Sequence, residues 1–225
     1  MMRLVRLVTC FGIFALTGVS SARAQAQPPA ASAEPRWYGE VTVGPTLGHK
    51  SDVSVGAEGG GRLTKMLDVF AETGHMGNVG NEDLEARAQK IANFIGGTVG
   101  STAYKANYFD VGVKYHVPYA VKYHPYLSIG IGFASITPEV TFLVNGTDVT
   151  GQLPSFGVQL GSDLSETQTR PLFMIGGGIM YDFLKRYFAD VSYRYGRTSQ
   201  AESDGEVVMQ GLNTQRLQFG FGVRF

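Results

Sequence analysis

The segment LQFGFGVRF, residues Leu217–Phe225, alternates apolar side chains with glycine, glutamine and arginine along its whole length. Side chains two residues apart lie on the same face of a β-strand, so the segment predicts a strand with one aromatic face and one small or polar face. The same alternation recurs in segments of about ten residues from Arg36 onward, as is typical of strands that cross a membrane in a barrel. A soluble β-sandwich alternates in the same way, so alternation alone does not decide between the two folds.

The lengths of the connections favour the barrel. Those at 64–67, 118–125 and 184–186 are short, whereas those at 77–104 and 138–170 are long. Transmembrane barrels join their strands by short periplasmic turns and longer outer loops. We therefore predict an all-β fold, an eight-stranded antiparallel up-and-down transmembrane β-barrel. The predicted strands are Arg36–Gly48, Ser54–Leu63, Asp68–Met76, Lys105–Val117, Tyr126–Thr137, Pro171–Phe183, Tyr187–Thr198 and Leu212–Phe225.

Charged residues in these strands fall on the face opposite the apolar side chains, which is the face that points into a barrel. A charge on the lipid face costs roughly 2–4 kcal/mol at the middle of the membrane, which explains this segregation. The interior of an eight-stranded barrel is only wide enough to be filled by side chains, so we expect ion pairs there. Asp110 with Arg194 is one candidate pair, although periodicity does not fix the strand register. The predicted lumen charge network consists of the acids Glu40, Glu58, Glu72, Asp110, Asp182 and Asp190 and the bases Arg62, Lys114, Arg194, Arg216 and Arg224.

Residues 1–24 match a secretory signal peptide. A basic start and the apolar run Leu7–Val19 precede the cleavage pattern Ala22-Arg23-Ala24, so we predict cleavage after Ala24. A transmembrane anchor is the alternative, but the run is shorter than the roughly 18 residues that a spanning helix needs. Residues 25–35 are rich in proline, alanine and serine and are predicted to form a disordered periplasmic lead-in to a barrel domain at 36–225.

Composition and charge exclude several classes of function. The chain carries 19 Lys and Arg against 19 Asp and Glu. Loss of the predicted signal peptide removes three arginines and no acid, which leaves 16 bases against 19 acids and a net charge of −3. No basic surplus is present to attract nucleic acid, so none is expected as a partner. The single cysteine, Cys10, is removed as well, so we predict neither disulfides nor thiolate chemistry.

The final strand ends in phenylalanine, and this ending resembles the C-terminal signature of bacterial outer-membrane proteins. Together with AEGGGRL at 57–63 and FAETGHM at 70–76, it resembles the small OmpA/OmpX-type outer-membrane barrels over residues 36–225. The resemblance implies an outer-membrane location with lipid and lipopolysaccharide as surroundings. It also implies that Phe221 and Phe225 are engaged by the barrel-assembly machinery during biogenesis.

Two features stand out in the long connections. In Asn81–Ile95, apolar residues recur at helical spacing, which predicts a short amphipathic helix that caps the barrel mouth or forms a lid or adhesin surface. In Val140–Leu153, Asn145-Gly146 is a hairpin signal, and we expect this hairpin to prolong the fifth and sixth strands beyond the membrane. A ten-stranded barrel is the alternative, but the arms of this hairpin are short for spanning strands.

The histidines give little support for chemistry. His49, His75, His116 and His124 lack the spacing of metal ligands, so we predict no metal and no cofactor. His49-Lys50-Ser51-Asp52 contains the residue types of an acyl-transfer triad, but adjacency in sequence does not create the required geometry in space. We expect a non-enzymatic barrel with a filled lumen and a structural or surface-contact role, whose surface ligand the sequence does not identify. A narrow pore for small solutes is the first alternative and a lipid-acyl enzyme is the second.

Overall fold

The computed structural model describes residues 36–225 with gaps at 49, 81, 119–121, 204–205 and 210. The predicted signal peptide and lead-in lie outside the described residues and stay predictions. Eight strands form a closed antiparallel ring in which each strand pairs with its neighbours in the chain. These strands are β1 (Trp37–Pro45), β2 (Val53–Arg62), β3 (Leu67–Met76), β4 (Thr98–His116), β5 (Tyr123–Val144), β6 (Gln168–Asp182), β7 (Tyr187–Thr198) and β8 (Asn213–Arg224).

The ring closes between the first and last strands. β1 pairs with β8 from Tyr38 opposite Arg224 to Val43 opposite Phe219. The predicted eight-stranded up-and-down barrel is therefore confirmed. Short turns join the strands at one end, which we call the turn end, and longer connections join them at the other, which we call the loop end. At the turn end the backbone N–H of Leu63 donates to the carbonyl of Leu67 over 2.9 Å and closes the turn between β2 and β3.

The remaining described elements belong to the loop end. They are helix α1 (Glu82–Phe94), helix α2 (Ser162–Ser165), a 3-10 helix (Thr150–Phe156) and the short strands Thr147–Asp148, Ala201–Ser203 and Glu206–Met209. Helix α1 confirms the predicted amphipathic helix, although Asn81, the first residue of the predicted segment, lies outside the described residues. In the described part of the chain, no helix is both long and apolar enough to span a membrane.

β4 and β5 are longer than predicted. β4 begins at Thr98 rather than Lys105, and β5 continues to Val144, because the two strands pair with each other as far as Thr98 opposite Leu143. The turn at Asn145-Gly146 is confirmed, with φ of 52° and 80°, the positive values that such hairpins require. Its return strand has only two residues, so the extension involves β4 and β5, and the prediction that β5 and β6 are prolonged together was wrong.

Apolar side chains cover the outer wall of the barrel. Val41, Leu127 and Ile131 are each 63% exposed, and every strand except β3 carries exposed large apolar residues of this kind. Exposure of this extent is far beyond the patches found on soluble proteins and fits contact with hydrocarbon. At the turn end, Phe183, Tyr187 and Phe221 pack with ring centroids 5.9–6.4 Å apart, as in the aromatic girdle of a membrane interface.

The loop end is closed by a cluster of buried apolar residues, which we call the loop-end core. Helix α1 contributes Leu84, Ala88 and Ala92, which pack together with Ile136 and Phe142 of β5. The remaining large members come from β3, β4, β6 and the other connections and include Met76, Val79, Tyr104, Leu153, Leu164, Leu172 and Leu212. The amphipathic helix thus caps the barrel mouth, as predicted.

Inward-facing glycines leave room for large side chains from neighbouring strands. A Cβ atom added at Gly222 would lie 2.1 Å from the ring of the fully buried Phe188, and one at Gly60 would lie 2.4 Å from the ring of Tyr38. Gly39, in contrast, has no atom within 4 Å of such a Cβ. Glycine is therefore required at the first two positions by packing and not by backbone conformation.

We predict that Gly222→Ala lowers the free energy of unfolding by about 1–3 kcal/mol, because the Phe188 ring must leave its place in a packed interior. Gly39→Ala, in the same sheet, is the matched control and should change stability by no more than about 0.5 kcal/mol. Urea unfolding of barrels inserted in lipid vesicles measures both variants. Equal losses of stability would contradict the proposed packing.

Candidate functional site

Four carboxylates form one row across the inner wall of β1 to β4. Glu40 lies opposite Glu58, Glu58 opposite Glu72, and Glu72 opposite Asp110 in the strand registers. Like charges directly opposite each other on adjacent strands repel. We call this set the carboxylate row, and its stability depends on cations that reach it from elsewhere in the lumen.

Two arginines on the other side of the ring supply much of the positive charge that neutralises the carboxylate row. Arg194 on β7 and Arg216 on β8 are opposite each other in register and are 2% and 3% exposed. Arg194 donates to Glu58 over 2.7 Å and lies 3.6 Å from Glu72, while Arg216 lies 3.4 Å from Glu72. Because β3 and β7 are on opposite sides of the eight-stranded ring, these ion pairs cross the lumen.

Lys114 supplies a third cation from β4. Its ammonium group is fully buried and bonds to Glu58. It also lies over the rings of Tyr126, Tyr38 and Phe70, with distances to the centroids of 4.8, 5.3 and 5.4 Å. Aromatic faces attract a desolvated cation, so these rings partly replace the water that Lys114 has lost.

Neutral donors complete the coordination of the two central glutamates. The hydroxyl of Tyr38 donates to Glu58 over 2.6 Å, and the hydroxyl of Tyr108 donates to Glu72 over 2.7 Å. The amide of Gln218 donates to Glu72 over 3.1 Å. Hydrogen bonds to a carboxylate are among the stronger ones in proteins, so each donor contributes to holding the row in place.

The ends of the carboxylate row are coordinated less completely. Among the described residues, no hydrogen-bond partner lies within reach of either carboxylate oxygen of Asp110. The same holds for Oε1 of Glu40. Asp190, a fifth buried acid, accepts from the hydroxyl of Tyr126 over 2.7 Å. The example pair of Asp110 with Arg194 was therefore wrong, since Arg194 bonds to Glu58 and Glu72 instead.

The other predicted network residues lie at the turn end. Arg224 bonds to Asp182, which also accepts from His124 over 2.9 Å. Arg62 lies 3.9 Å from Asp68 with about a third of its side chain exposed, so it belongs to the rim and not to the buried network. Among the described residues, the centre of the lumen therefore holds more buried acids than bases, with Asp68 buried nearer the turn end and Arg170 nearer the loop end. The central acids are Glu40, Glu58, Glu72, Asp110 and Asp190, and the central bases are Lys114, Arg194 and Arg216.

Sequence reasoning missed several members of the site. Asp68 is buried, contacts His116 over 2.8 Å and shares the phase of Glu72, but it is not among the predicted network residues. Tyr108 and Tyr126 also have the inward phase of their strands, and that phase was the signal that could have identified them. Their hydroxyls could be assigned to Glu72 and Asp190 only once the registers were known.

The residues considered for chemistry do not converge. Nδ1 of His75 lies 2.8 Å from the side-chain oxygen of Asn107 on the outer wall, and His49 lies outside the described residues. In the described part of the chain, no three His, Cys, Asp or Glu side chains are arranged to hold a metal ion. Phe221 and Phe225 are 51% and 65% exposed at the turn end, and their role in assembly stays a prediction.

Comparisons with known proteins agree with this architecture. A family model described as outer membrane protein beta-barrel domain matches residues 12–225. The fold is similar to that of neisserial surface protein A, with a TM-score of 0.53 and 13% identity over 86% of this chain and 98% of that one. The N-terminal β-barrel domain of Pseudomonas aeruginosa OprF gives a TM-score of 0.45 and 17% identity over 84% and 97%. Ail, the attachment invasion locus protein of Yersinia pestis, gives 0.44 and 12% over 85% and 99%. No curated protein matches the sequence significantly.

We predict that Lys114→Met lowers the free energy of unfolding by about 3–5 kcal/mol, because it removes one partner of a buried ion pair and leaves Glu58 short of positive charge. The matched control is Lys105→Met, whose ion pair with Glu139 over 2.8 Å is about half exposed. That pair is worth no more than about 1 kcal/mol. Unfolding by urea in vesicles compares the two, and an equal loss in both variants would contradict the role of Lys114.

Proposed function

Because the chain belongs to the outer membrane protein beta-barrel domain family, we propose that it acts as a sealed barrel of the outer membrane, which stabilises the envelope and presents its loop end to the surroundings. Its family implies the outer-membrane location. Export through the periplasm by the predicted signal peptide is part of the proposal. So is insertion among outer-membrane lipid and lipopolysaccharide.

The observation that carries the proposal is the set of ion pairs across the lumen. Glu58 and Glu72 on one wall are joined to Arg194 and Arg216 on the other, and Lys114 lies between them. Breaking one partner of such a pair costs several kcal/mol in a site removed from water. A solute moving along the axis has to separate these groups, so the network is a barrier to conduction.

The loop-end core supports the proposal with a second barrier. Leu84, Ala88 and Ala92 of α1 are fully or almost fully buried against residues of the barrel mouth. Water and ions that enter from outside meet this apolar layer before they reach the charges. The loop end therefore offers a folded surface for contacts, and its outer face includes Phe94 and Phe156, which are 73% and 37% exposed.

A narrow pore is the second candidate. The surplus of buried carboxylates and the unpartnered oxygens of Asp110 favour it, because such groups attract water and cations into a lumen. A lipid-acyl enzyme has less support. Of the histidines in the described part of the chain, His75 contacts Asn107, His116 contacts Asp68 and His124 contacts Asp182, and none of these partners is a serine.

We predict that the purified barrel shows no steady conductance in planar bilayers. Glu72→Ala combined with Arg194→Ala removes the ion pairs of Glu72 with Arg194 and Arg216 and that of Arg194 with Glu58, so it should produce small discrete openings. The control variant, Lys105→Ala combined with Glu139→Ala, removes an ion pair on the outside and should stay closed.

Large stable openings of the unaltered barrel would contradict the sealed state and favour the pore. Openings in the control variant as frequent as those in the Glu72/Arg194 variant would show that the barrier does not depend on the pairs across the lumen.

A further inference from the structure

The outer wall of the barrel carries an apolar groove near the loop end. It has a volume of about 690 Å³, within the range of about 300–1,000 Å³ that is usual for ligand sites. The groove crosses three adjacent strands, β4, β5 and β6, and ends beside the last residues of β7. We call it the wall groove. Its main lining residues are Phe109, Ile131, Phe133, Pro171, Phe173 and Arg197.

The registers explain why the wall is indented there. Phe109 lies opposite Phe133, and Phe133 lies opposite Pro171. The backbone N–H of Ser199 donates to the carbonyl of Pro171 over 3.1 Å and continues this row. Along this row, the large side chains of Phe109 and Phe133 are followed by the smaller ones of Pro171 and Ser199. Phe173 lies in the next row, so Pro171 and Ser199 form a low floor between bulky neighbours.

Arg197 is the penultimate residue of β7 and lies at the β7 edge of the wall groove. It is exposed, points outward, and lies opposite Phe173 in register. Among the residues that the structure describes, no carboxylate and no hydrogen-bond acceptor pairs with its guanidinium group. Lys105, the outward-facing cation on β4, is in contrast paired with Glu139. An arginine that borders the hydrocarbon region without a counter-charge is costly, so an anion from outside the protein is expected there.

We propose that the wall groove binds a phosphorylated lipid of the leaflet at the loop end, with an acyl chain against Phe133, Pro171 and Phe173 and the phosphate on Arg197. The groove faces hydrocarbon, so its occupant comes from the membrane. Guanidinium groups bind phosphate through two parallel hydrogen bonds, and an arginine at a membrane interface meets phosphate at that depth. The hydroxyl of Ser199, beside Arg197, adds a donor. The site is independent of whether the lumen conducts, so it does not rest on the sealed state.

Native mass spectrometry of the folded barrel in detergent tests this site. The probes are bisphosphorylated lipid A and the same lipid after chemical removal of both phosphates. Arg197→Gln should lower retention of the phosphorylated form by about tenfold or more, because the loss of even one of the two charge-assisted hydrogen bonds has an effect of this size. It should leave the dephosphorylated form unchanged. Arg186→Gln, an exposed arginine at the turn end, is the matched control and should change neither.

A second pair of variants tests the apolar part of the site. Ile131→Trp fills the wall groove and should lower retention of both lipid forms, whereas Ile179→Trp, on the outer wall away from the groove, should not. Both tryptophan side chains would face lipid, so we expect both variants to fold. The heat-dependent gel shift of the barrel verifies this.

Three results would overturn the proposal. The first is equal retention of the phosphorylated and dephosphorylated lipids by the unaltered barrel. The second is an equal effect of Arg197→Gln and Arg186→Gln. The third is a lipid-free dimer that Ile131→Trp abolishes, since that would assign the wall groove to contact between two copies of the chain. None of these results bears on conduction, so failure here is distinguishable from failure of the sealed state.

Discussion

The structure depends on how the carboxylate row is neutralised. Glu40, Glu58, Glu72 and Asp110 lie side by side on four consecutive strands, an arrangement that a sheet on its own cannot tolerate. The cations that offset it come from strands that are distant along the chain, with Arg194 136 residues from Glu58. Closure of the ring brings these groups together. The barrel and its charged interior therefore stabilise each other, and neither is expected to persist without the other.

The two faces of each strand lie in different surroundings, which select different side chains. Outside, hydrocarbon excludes charge, and the middle of the wall is aliphatic and aromatic, whereas outward charges such as Lys105 and Arg197 lie towards the loop end. Inside, space is limited, and glycines such as Gly60 and Gly222 admit the rings of Tyr38 and Phe188. The polar side chains of the lumen replace the water that an open channel would contain. A barrel of this kind is held by packing and ion pairing across its axis as much as by the hydrogen bonds of its wall.

The sequence predicted the strands and the faces of their residues, because both follow from the alternation of side chains. It placed β7 at Tyr187–Thr198, as observed, since the tight turn before it and the polar residues after it mark both ends. It did not predict the extension of β4 and β5. Residues 98–104 are mostly small or polar, and in 138–144 the buried apolar residues Val140 and Phe142 fall in the phase opposite to that of the outward Ile131. The partners of Arg194 also could not be predicted. These partners depend on the strand registers and on which strands face each other across the lumen. The alternation of side chains along a strand gives neither. Alternation also does not show how deep in the lumen a residue lies. Arg62 faces inward as predicted, but it lies at the rim of the turn end and not in the buried network.

The orientation of the strands is tested most directly by comparing adjacent residues with single cysteines. With Cys10 replaced by serine, the inward positions are Ser54→Cys, Ser128→Cys and Ser192→Cys, and the outward neighbours are Val55→Cys, Ile129→Cys and Val191→Cys. In vesicles, the outward thiols should react with a reagent dissolved in the lipid and not with a charged, water-soluble one. The inward thiols should react with neither until the barrel is unfolded. Rapid reaction of the outward thiols with the charged reagent, or a folded chain that stays soluble without detergent, would contradict the transmembrane barrel.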